Sequence, residues 1–290
     1  MLTRLLGACA VTIAIVVTAA GQARAWGIDA HKIIARVASG LLPPQKAFAI
    51  DELLRQSVID GGIIEASLYA DWVIRPQDTD HVFAPWHFIN WTISEPYADA
   101  FCQPTCILVQ LPKQIEAMKT ETDRDKKALA VSWVIHLVSD MHQPMHMGDN
   151  RDEGGTDFRV TYRGANRCAP PHNVRVSLHM VWDYCLVSEL TTSKSWWEVA
   201  DELRGGLTTY KGHPAATGTS NEWGKQAHEA ARDVAYVGVQ QGDDIQDPYM
   251  NRTLPTAREQ LMRAAVRLAM VLDELDVTWP PASPAPETAR

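Results

Sequence analysis

The sequence predicts an all-α protein, a single mostly helical domain with a small β-hairpin and two disulfides. Apolar residues recur every three or four positions along most of the chain, which is the spacing of one face of an α-helix. Prolines mark several predicted helix boundaries, because a proline inside a helix loses a backbone hydrogen bond. Only residues 157–162 alternate between apolar and polar side chains, as a strand of a hairpin does.

The predicted helices follow one another without an internal linker or repeat. Pro43 starts the second helix, and Pro144 ends the fifth. Pro112 and Pro255 stand at or near the starts of the fourth and the last. In chain order, the helices are predicted over residues 28–42, 45–54, 62–74, 107–118, 126–141, 177–190, 196–207, 222–239 and 256–275.

The first 25 residues have the form of a secretory signal peptide. Arg4 gives a charged start, residues 5–20 are apolar, and Ala-Arg-Ala at 23–25 is a cleavage signal. We therefore expect a secreted or periplasmic protein whose mature chain begins at Trp26. No later segment is long and apolar enough to cross a bilayer, so no membrane anchor is expected.

The mature chain is predicted to be one domain over residues 26–279, followed by a disordered, proline-rich tail over residues 280–290. Without the signal it carries 25 basic and 35 acidic residues, a net charge of −10. This charge argues against a protein that grips duplex DNA through a basic face. A nucleic-acid substrate held by bound cations stays open. We expect a monomer.

Four cysteines remain after Cys9 leaves with the signal: Cys102, Cys106, Cys168 and Cys185. An even number in an exported protein predicts two disulfides, and three pairings are possible. We favour Cys102 with Cys106 and Cys168 with Cys185, with free buried thiols as the alternative. A cysteine zinc site is disfavoured because no CxxC spacing is present.

Two predicted helices each carry a His and an Asp four residues apart: His136 with Asp140, and His179 with Asp183. Positions i and i+4 lie on one helix face, with Cβ atoms about 5–6 Å apart, so both side chains can reach one ion. Apolar neighbours turn these faces inward, where an unpaired carboxylate is costly. A His–Asp hydrogen bond would explain one pair, but two pairs near further histidines favour a metal centre.

Further potential ligands surround these pairs. Cleavage would expose the Trp26 α-amine, whose pKa of about 7.7–8.0 lets it bind a metal, and His31 follows in the first helix. Asp71 and His87 stand among apolar residues, where a lone polar group is more often hydrogen-bonded than a ligand. Of the two histidines in HQPMH, at most one can share the metal of the preceding pair, because a proline separates them.

Five motifs occur in order: WGxxxH at the mature start, AD in an inner helix, WHFIN, HxxxDxHQPxH and LHxVWD. Together they resemble the S1/P1 nuclease family, from Trp26 to at least Asp183. The resemblance implies a mostly helical fold of the phospholipase C/P1 nuclease type with three zinc ions per chain. It also implies hydrolysis of single-stranded DNA and RNA to 5′-phosphate products, with 3′-nucleotidase activity.

The same resemblance assigns a role to each candidate ligand. Asp71, His87, His136 and Asp140 would hold the first zinc; His146, His179 and Asp183 the second; Trp26, His31 and the other oxygen of Asp140 the third. Trp26 would bind through its amine and carbonyl oxygen, and Asp140 would bridge two ions. His142 would orient a ligand by hydrogen bonding. Asp71 would also orient or deprotonate the attacking water.

Substrate contacts follow the family less closely. Phe88 would stack on a base, with core packing as the alternative, and Asn90 would contact a base edge. Because an amide can donate where the aspartate of some relatives only accepts, we expect a changed or broadened base preference. Arg75 comes one position later than the family's phosphate-binding arginine. Thr156 replaces the asparagine of a GGN segment and follows a charged run at 149–153.

Two other functions remain open at this stage. A zinc phospholipase C has a similar centre, but its last ligand is glutamate, whereas Asp183 stands here. A non-enzymatic zinc-binding protein would not explain why the potential ligands share one bridging carboxylate.

Overall fold

The computed structural model describes residues 26–102, 105–164, 168 and 175–277. The predicted signal peptide and tail lie outside these residues. As predicted, the fold is mostly helical. Its α-helices are α1 (Ile28–Leu41), α2 (Pro44–Arg55), α3 (Ile63–Tyr69), α4 (Ile107–Thr120), α5 (Arg124–Asp140), α6 (Pro144–Met147), α7 (Leu178–Met180), α8 (Leu186–Thr191), α9 (Trp196–Arg204), α10 (Ser220–Ala230) and α11 (Asp247–Asp273).

Shorter helical segments extend or join these helices within the described chain. The π-helical segments are Ala70–Ile74 after α3, Val181–Cys185 between α7 and α8, and Ala231–Ala235 after α10. The 3-10 turns are Arg75–Gln77, Ala84–His87 and Asp99–Phe101.

The last predicted helix begins nine residues earlier than the sequence pattern indicated. α11 starts at Asp247, so Pro255 lies inside it, and Pro112 likewise lies inside α4. Another proline, Pro248, occupies the first turn of α11, where its missing N–H costs no helical bond. The interior proline was therefore a misleading marker of the boundary.

The helix α5 lies at the centre of the molecule. Residues 130–140 are all buried, as expected of a helix that other elements cover on every side. It packs against α1, α3, α4 and α11, and the Ser132 hydroxyl donates to Ala66 O of α3 at 2.9 Å. The pair His136 and Asp140 therefore lies in the interior, at the C-terminal end of α5.

The β structure is a small three-stranded sheet. β1 (Arg159–Tyr162) pairs antiparallel with β2 (Val176–Ser177) and parallel with β3 (Asp244–Ile245), in the order β2–β1–β3. β1 and β2 form the antiparallel pair that the hairpin prediction anticipated, but with a longer connection than residues 157–162 allow. β3 was not predicted, because its two residues are too few to show an alternating pattern.

Both predicted disulfides are present, Cys102–Cys106 and Cys168–Cys185. Cys185 ends the π segment that contains Asp183, so the second disulfide ties this segment to residue 168. Within the described residues, no helix has both the length and the apolar character needed to cross a membrane.

Candidate metal centre

The first His–Asp pair forms one side of a buried cluster. His136 Nε2 lies 3.1 Å from Asp140 Oδ2, and neither side chain is exposed to solvent. The other ring nitrogen, Nδ1, faces Ser67 O at 2.8 Å. A backbone carbonyl accepts only from a protonated nitrogen, so Nδ1 donates to Ser67 O and Nε2 is the ring nitrogen that faces the cluster.

The two oxygens of Asp140 face different histidines. Oδ2 lies 2.9 Å from His87 Nδ1 and 3.1 Å from His136 Nε2. Oδ1 lies 3.4 Å from His31 Nε2 and 3.8 Å from His146 Nδ1. The carboxylate thus stands between His31 on one side and His87 and His136 on the other, which is the placement a bridging ligand needs.

The second His–Asp pair lies beside the first. His179 Nε2 is 3.3 Å from Asp183 Oδ2, and His146 Nε2 is 3.7 Å from Asp183 Oδ1. Gln143, which sequence reasoning missed, donates from Nε2 to the same Oδ1 at 2.6 Å. Its Oε1 accepts from Met145 N at 2.5 Å, so the amide is held at both ends and orients the Asp183 carboxylate.

The potential ligands form three groups whose donor atoms lie within 4.8 Å of one another. The groups are His31, Asp71 and His136; His87, His136 and Asp140; and His146, His179 and Asp183. Two of them follow the predicted partition. Asp71, however, groups with His31, whose ring stacks on that of His136 at 4.2 Å, rather than with His87.

The charges in the cluster depend on one another. Burial alone would lower the pKa of His136, but the Asp140 carboxylate raises it to about 9. Burial would raise the pKa of Asp140, but His136 and His146 hold it well below its usual value. Burial raises the pKa of Asp183 well above its usual value, because His179 opposes this effect only in part.

The ligand set fits divalent metal ions. Among the described residues, Asp140 Oδ1 and Asp183 Oδ2 are buried oxygens without a hydrogen-bond partner. Such oxygens are costly unless something binds them, and a cation would satisfy both. Imidazole nitrogens and carboxylate oxygens without thiolate are the ligands of many catalytic metal sites. The chain therefore presents three His/Asp groups suited to metal binding.

Gly27, which follows Trp26, contacts the second pair through the backbone of Asp183. Trp26 is buried, and Gly27 N donates to Asp183 O at 2.9 Å. A Cβ at position 27 would lie 2.6 Å from that oxygen, so only glycine allows this close approach. The contact places Gly27, and with it the adjoining residue Trp26, beside Asp183.

The predicted substrate residues lie at the edge of the cluster or outside it. Arg75 Nη1 donates to Asp71 Oδ1 at 3.3 Å, with side-chain exposures of 18% and 16%. Phe88 and Thr156 are partly buried, and Asn90 is exposed. Arg75 is thus already paired with the carboxylate that the sequence analysis assigned to water activation.

His142 makes different contacts from those the sequence predicted. Its Nδ1 donates to Val138 O at 2.7 Å, and its Nε2 accepts from Arg267 Nη1 of α11 at 2.8 Å. Both ring nitrogens are thus used by groups other than the proposed ligands. Arg267 is itself buried and was missed, because α-helical periodicity gives an arginine no reason to face the core.

Comparison with known proteins places this chain in a family. A model of the S1/P1 nucleases matches residues 26–276, a span that contains every proposed ligand. The chain belongs to the S1/P1 nuclease family. It is similar to Endonuclease 2 of Arabidopsis thaliana, at 26% identity over 89% of this chain and 92% of the relative. It is also similar to Nuclease S1 of Aspergillus oryzae, at 23% identity over 93% and 97%.

Membership of the S1/P1 nuclease family gives the general activity. The protein is a nuclease, a hydrolase that acts on nucleic acids. The buried His/Asp groups are where this chain offers metal binding.

Proposed function

We propose that the protein is an exported, monomeric, zinc-dependent nuclease that cleaves single-stranded DNA and RNA to products with 5′-phosphates. We further propose that it removes the phosphate of 3′-nucleotides. The observation that carries the zinc dependence is Asp140, whose Oδ2 faces His87 and His136 and whose Oδ1 faces His31 in a fully buried site.

Nine residues would hold three zinc ions. The proposed ligands are Trp26, His31, Asp71, His87, His136, Asp140, His146, His179 and Asp183. Asp140 would bridge two ions, and the free α-amine of Trp26 would complete the third site after signal cleavage. Three Zn²⁺ and three carboxylates leave a local charge of about +3, which attracts phosphate although the mature chain is acidic.

The bound ions supply Lewis acidity toward phosphate oxygens and make a coordinated water more acidic. Asp71, whose side chain is 16% exposed, would orient the attacking water or take its proton. Burial would raise the pKa of Asp71, but His136 and His87 lower it, so this carboxylate is ionised at neutral pH. Arg75, paired with Asp71 at 3.3 Å, would place positive charge where the phosphate enters.

The preference for single strands rests on Phe88 and Asn90. Both precede Trp91 in an extended segment, and the backbone of Phe88 has φ −151° and ψ 178°. Asn90 is exposed and Phe88 partly so. An unpaired base can stack on an aromatic ring and present its edge to an amide, whereas a base within a duplex cannot.

The decisive experiment uses mature protein that begins at Trp26. Elemental analysis should give about three zinc ions per chain. Cleavage of a single-stranded oligonucleotide should be faster than cleavage of its duplex, and end-group analysis should find 5′-phosphates. Release of phosphate from 3′-AMP tests the second activity. A zinc-loaded protein that hydrolyses none of these substrates would overturn the proposal.

A matched pair of histidine variants tests the site. His179→Asn should lose zinc and activity together. His213→Asn is the control, because His213 lies outside the cluster and accepts a hydrogen bond from Ala215 N at 3.1 Å. Equal zinc content in the two variants would refute the assignment of His179.

A further inference from the structure

One ring nitrogen of His179 faces the metal cluster, and the other contacts a loop formed by Gly154 and Gly155, called here the glycine loop. Nδ1 faces Gly154 O at 2.8 Å, and Nε2 faces Asp183. The partner of the outer nitrogen fixes the ring orientation of a metal-binding histidine. The position of one backbone carbonyl therefore controls where His179 Nε2 points.

Gly154 has no room for a side chain, and Gly155 adopts a backbone angle that favours glycine. Their φ angles are +61° and +80°, and a Cβ would lie 2.6 Å from Met145 O at position 154 and 2.4 Å from Met145 Cε at position 155. Glycine accepts such angles, but it also leaves the backbone freer to move than other residues do. Something else must hold the Gly154 carbonyl in place.

Two aspartates of the charged run at 149–153 hold the glycine loop. Asp149 Oδ1 accepts from Gly154 N at 3.0 Å and from Asp152 N at 2.9 Å. Asp152 Oδ1 accepts from Gly155 N at 2.7 Å. Each glycine amide is thus bound by one carboxylate. The charged run, which looks solvent-exposed in the sequence, binds the loop internally.

Tyr236 connects this loop to the helical body. Its hydroxyl donates to Asp152 Oδ1 at 2.7 Å, across 84 residues of sequence. Tyr236 directly follows the π segment Ala231–Ala235, and its ring packs edge-to-face on Phe158. The Tyr236 side chain is therefore fixed at its ring and at its hydroxyl.

We propose that Tyr236 and Asp152 are positioning residues that act through the Gly154 carbonyl on His179, and so on retention of one metal ion. The ion is the one that His146, His179 and Asp183 would hold, so the inference rests on the proposed zinc-dependent function. Neither residue touches a proposed ligand directly. Their effect should be selective for one of the three ions rather than general.

The test compares two variants, each of which loses one hydrogen bond from a tyrosine hydroxyl to an aspartate. Tyr236→Phe removes only the hydroxyl that reaches Asp152. Tyr210→Phe is the matched control, because the Tyr210 hydroxyl also donates to an aspartate, Asp273 Oδ2, at 2.7 Å in a partly buried site. Zinc per chain is measured after dialysis against graded chelator, together with thermal melting of the zinc-free proteins.

We expect Tyr236→Phe to release one zinc at a chelator concentration about ten-fold below that of wild type. Tyr210→Phe should release zinc as wild type does, while the two zinc-free variants lose similar amounts of thermal stability. Anomalous diffraction at the zinc edge should locate the loss at His179. Asp152→Asn, which weakens the same acceptor, serves as the second variant if Tyr236→Phe does not fold.

Two results would overturn the inference and leave the proposed function intact. One is a zinc-release curve for Tyr236→Phe and Asp152→Asn that coincides with the wild-type curve. The other is loss of all three ions together, which would make the loop a general stabiliser of the fold. A wild-type protein without zinc would overturn the proposed function and the inference with it.

Discussion

The charge on His136 gives the zinc-free protein a specific dependence of stability on pH. The pKa of this buried ring is raised from 6.5 to about 9, because attraction by Asp140 outweighs the effect of burial. The folded state therefore holds this proton more tightly than the unfolded chain does. The resulting stabilisation is complete below pH 6.5 and is lost as the pH rises through about 9.

The size of the effect follows from the shift. The difference between about 9 and 6.5 corresponds to about 3 kcal/mol. Solvent does not screen the attraction between His136 and Asp140, since neither side chain is exposed. Asp140→Asn keeps the shape but removes the carboxylate, so burial should then lower the pKa of His136. The variant should lack this pH-dependent stabilisation.

The assay is urea unfolding of zinc-free wild type and zinc-free Asp140→Asn across the window from pH 6.5 to 9. The difference in free energy of unfolding should shrink by about 3 kcal/mol across it. Asp201→Asn, which removes a carboxylate from an exposed ion pair with Arg36, should show no such slope. A wild-type advantage over Asp140→Asn that stays constant with pH would refute the reasoning. With zinc bound the trend should reverse, because metal ligands must be deprotonated.

Three further predictions follow from the site. Residues left ahead of Trp26 should reduce zinc per chain and activity together, measured on proteins of verified mass; full zinc content with an extension would exclude the amine ligand. Gly155→Ala should lower the free energy of unfolding by about 1–3 kcal/mol, because φ is +80° and the added Cβ meets Met145; unchanged urea unfolding would contradict this. Asn90→Asp should shift relative kcat/KM between homopolymer substrates several-fold, and an unaltered ratio would remove Asn90 from base recognition.

The fold class could be predicted from the sequence because helix periodicity and cysteine positions can be read from short stretches of the chain. The apolar pattern of each amphipathic segment shows which of its faces is buried. Both disulfides join cysteines that are near in sequence. β3 and the start of α11 were missed for the opposite reason. The two residues of β3 are defined by a partner strand more than 80 residues away, and Pro255 marked a boundary that Pro248 supplies.

At the site, the sequence predicted which residues meet but not what orients them. The His–Asp pairs are visible because four-residue spacing is a local property. Ser67 O, His87 O and Gly154 O, which face the Nδ1 atoms of His136, His146 and His179, are backbone atoms that any residue could supply. The contact of His142 with Arg267 spans 125 residues, so no local pattern indicates that this ring turns away from the ligands.

The π-helical segments give a physical reason why this centre departs from regular helix geometry. Asp71 lies in Ala70–Ile74 and Asp183 in Val181–Cys185, so two of the three proposed carboxylate ligands stand in π turns. The third described π segment, Ala231–Ala235, directly precedes Tyr236. A π turn is rare, and it is found frequently at functional sites. A π segment contains or adjoins each of these side chains, which indicates that the local helix geometry orients them. Metal binding would offset the free-energy cost of the irregular backbone.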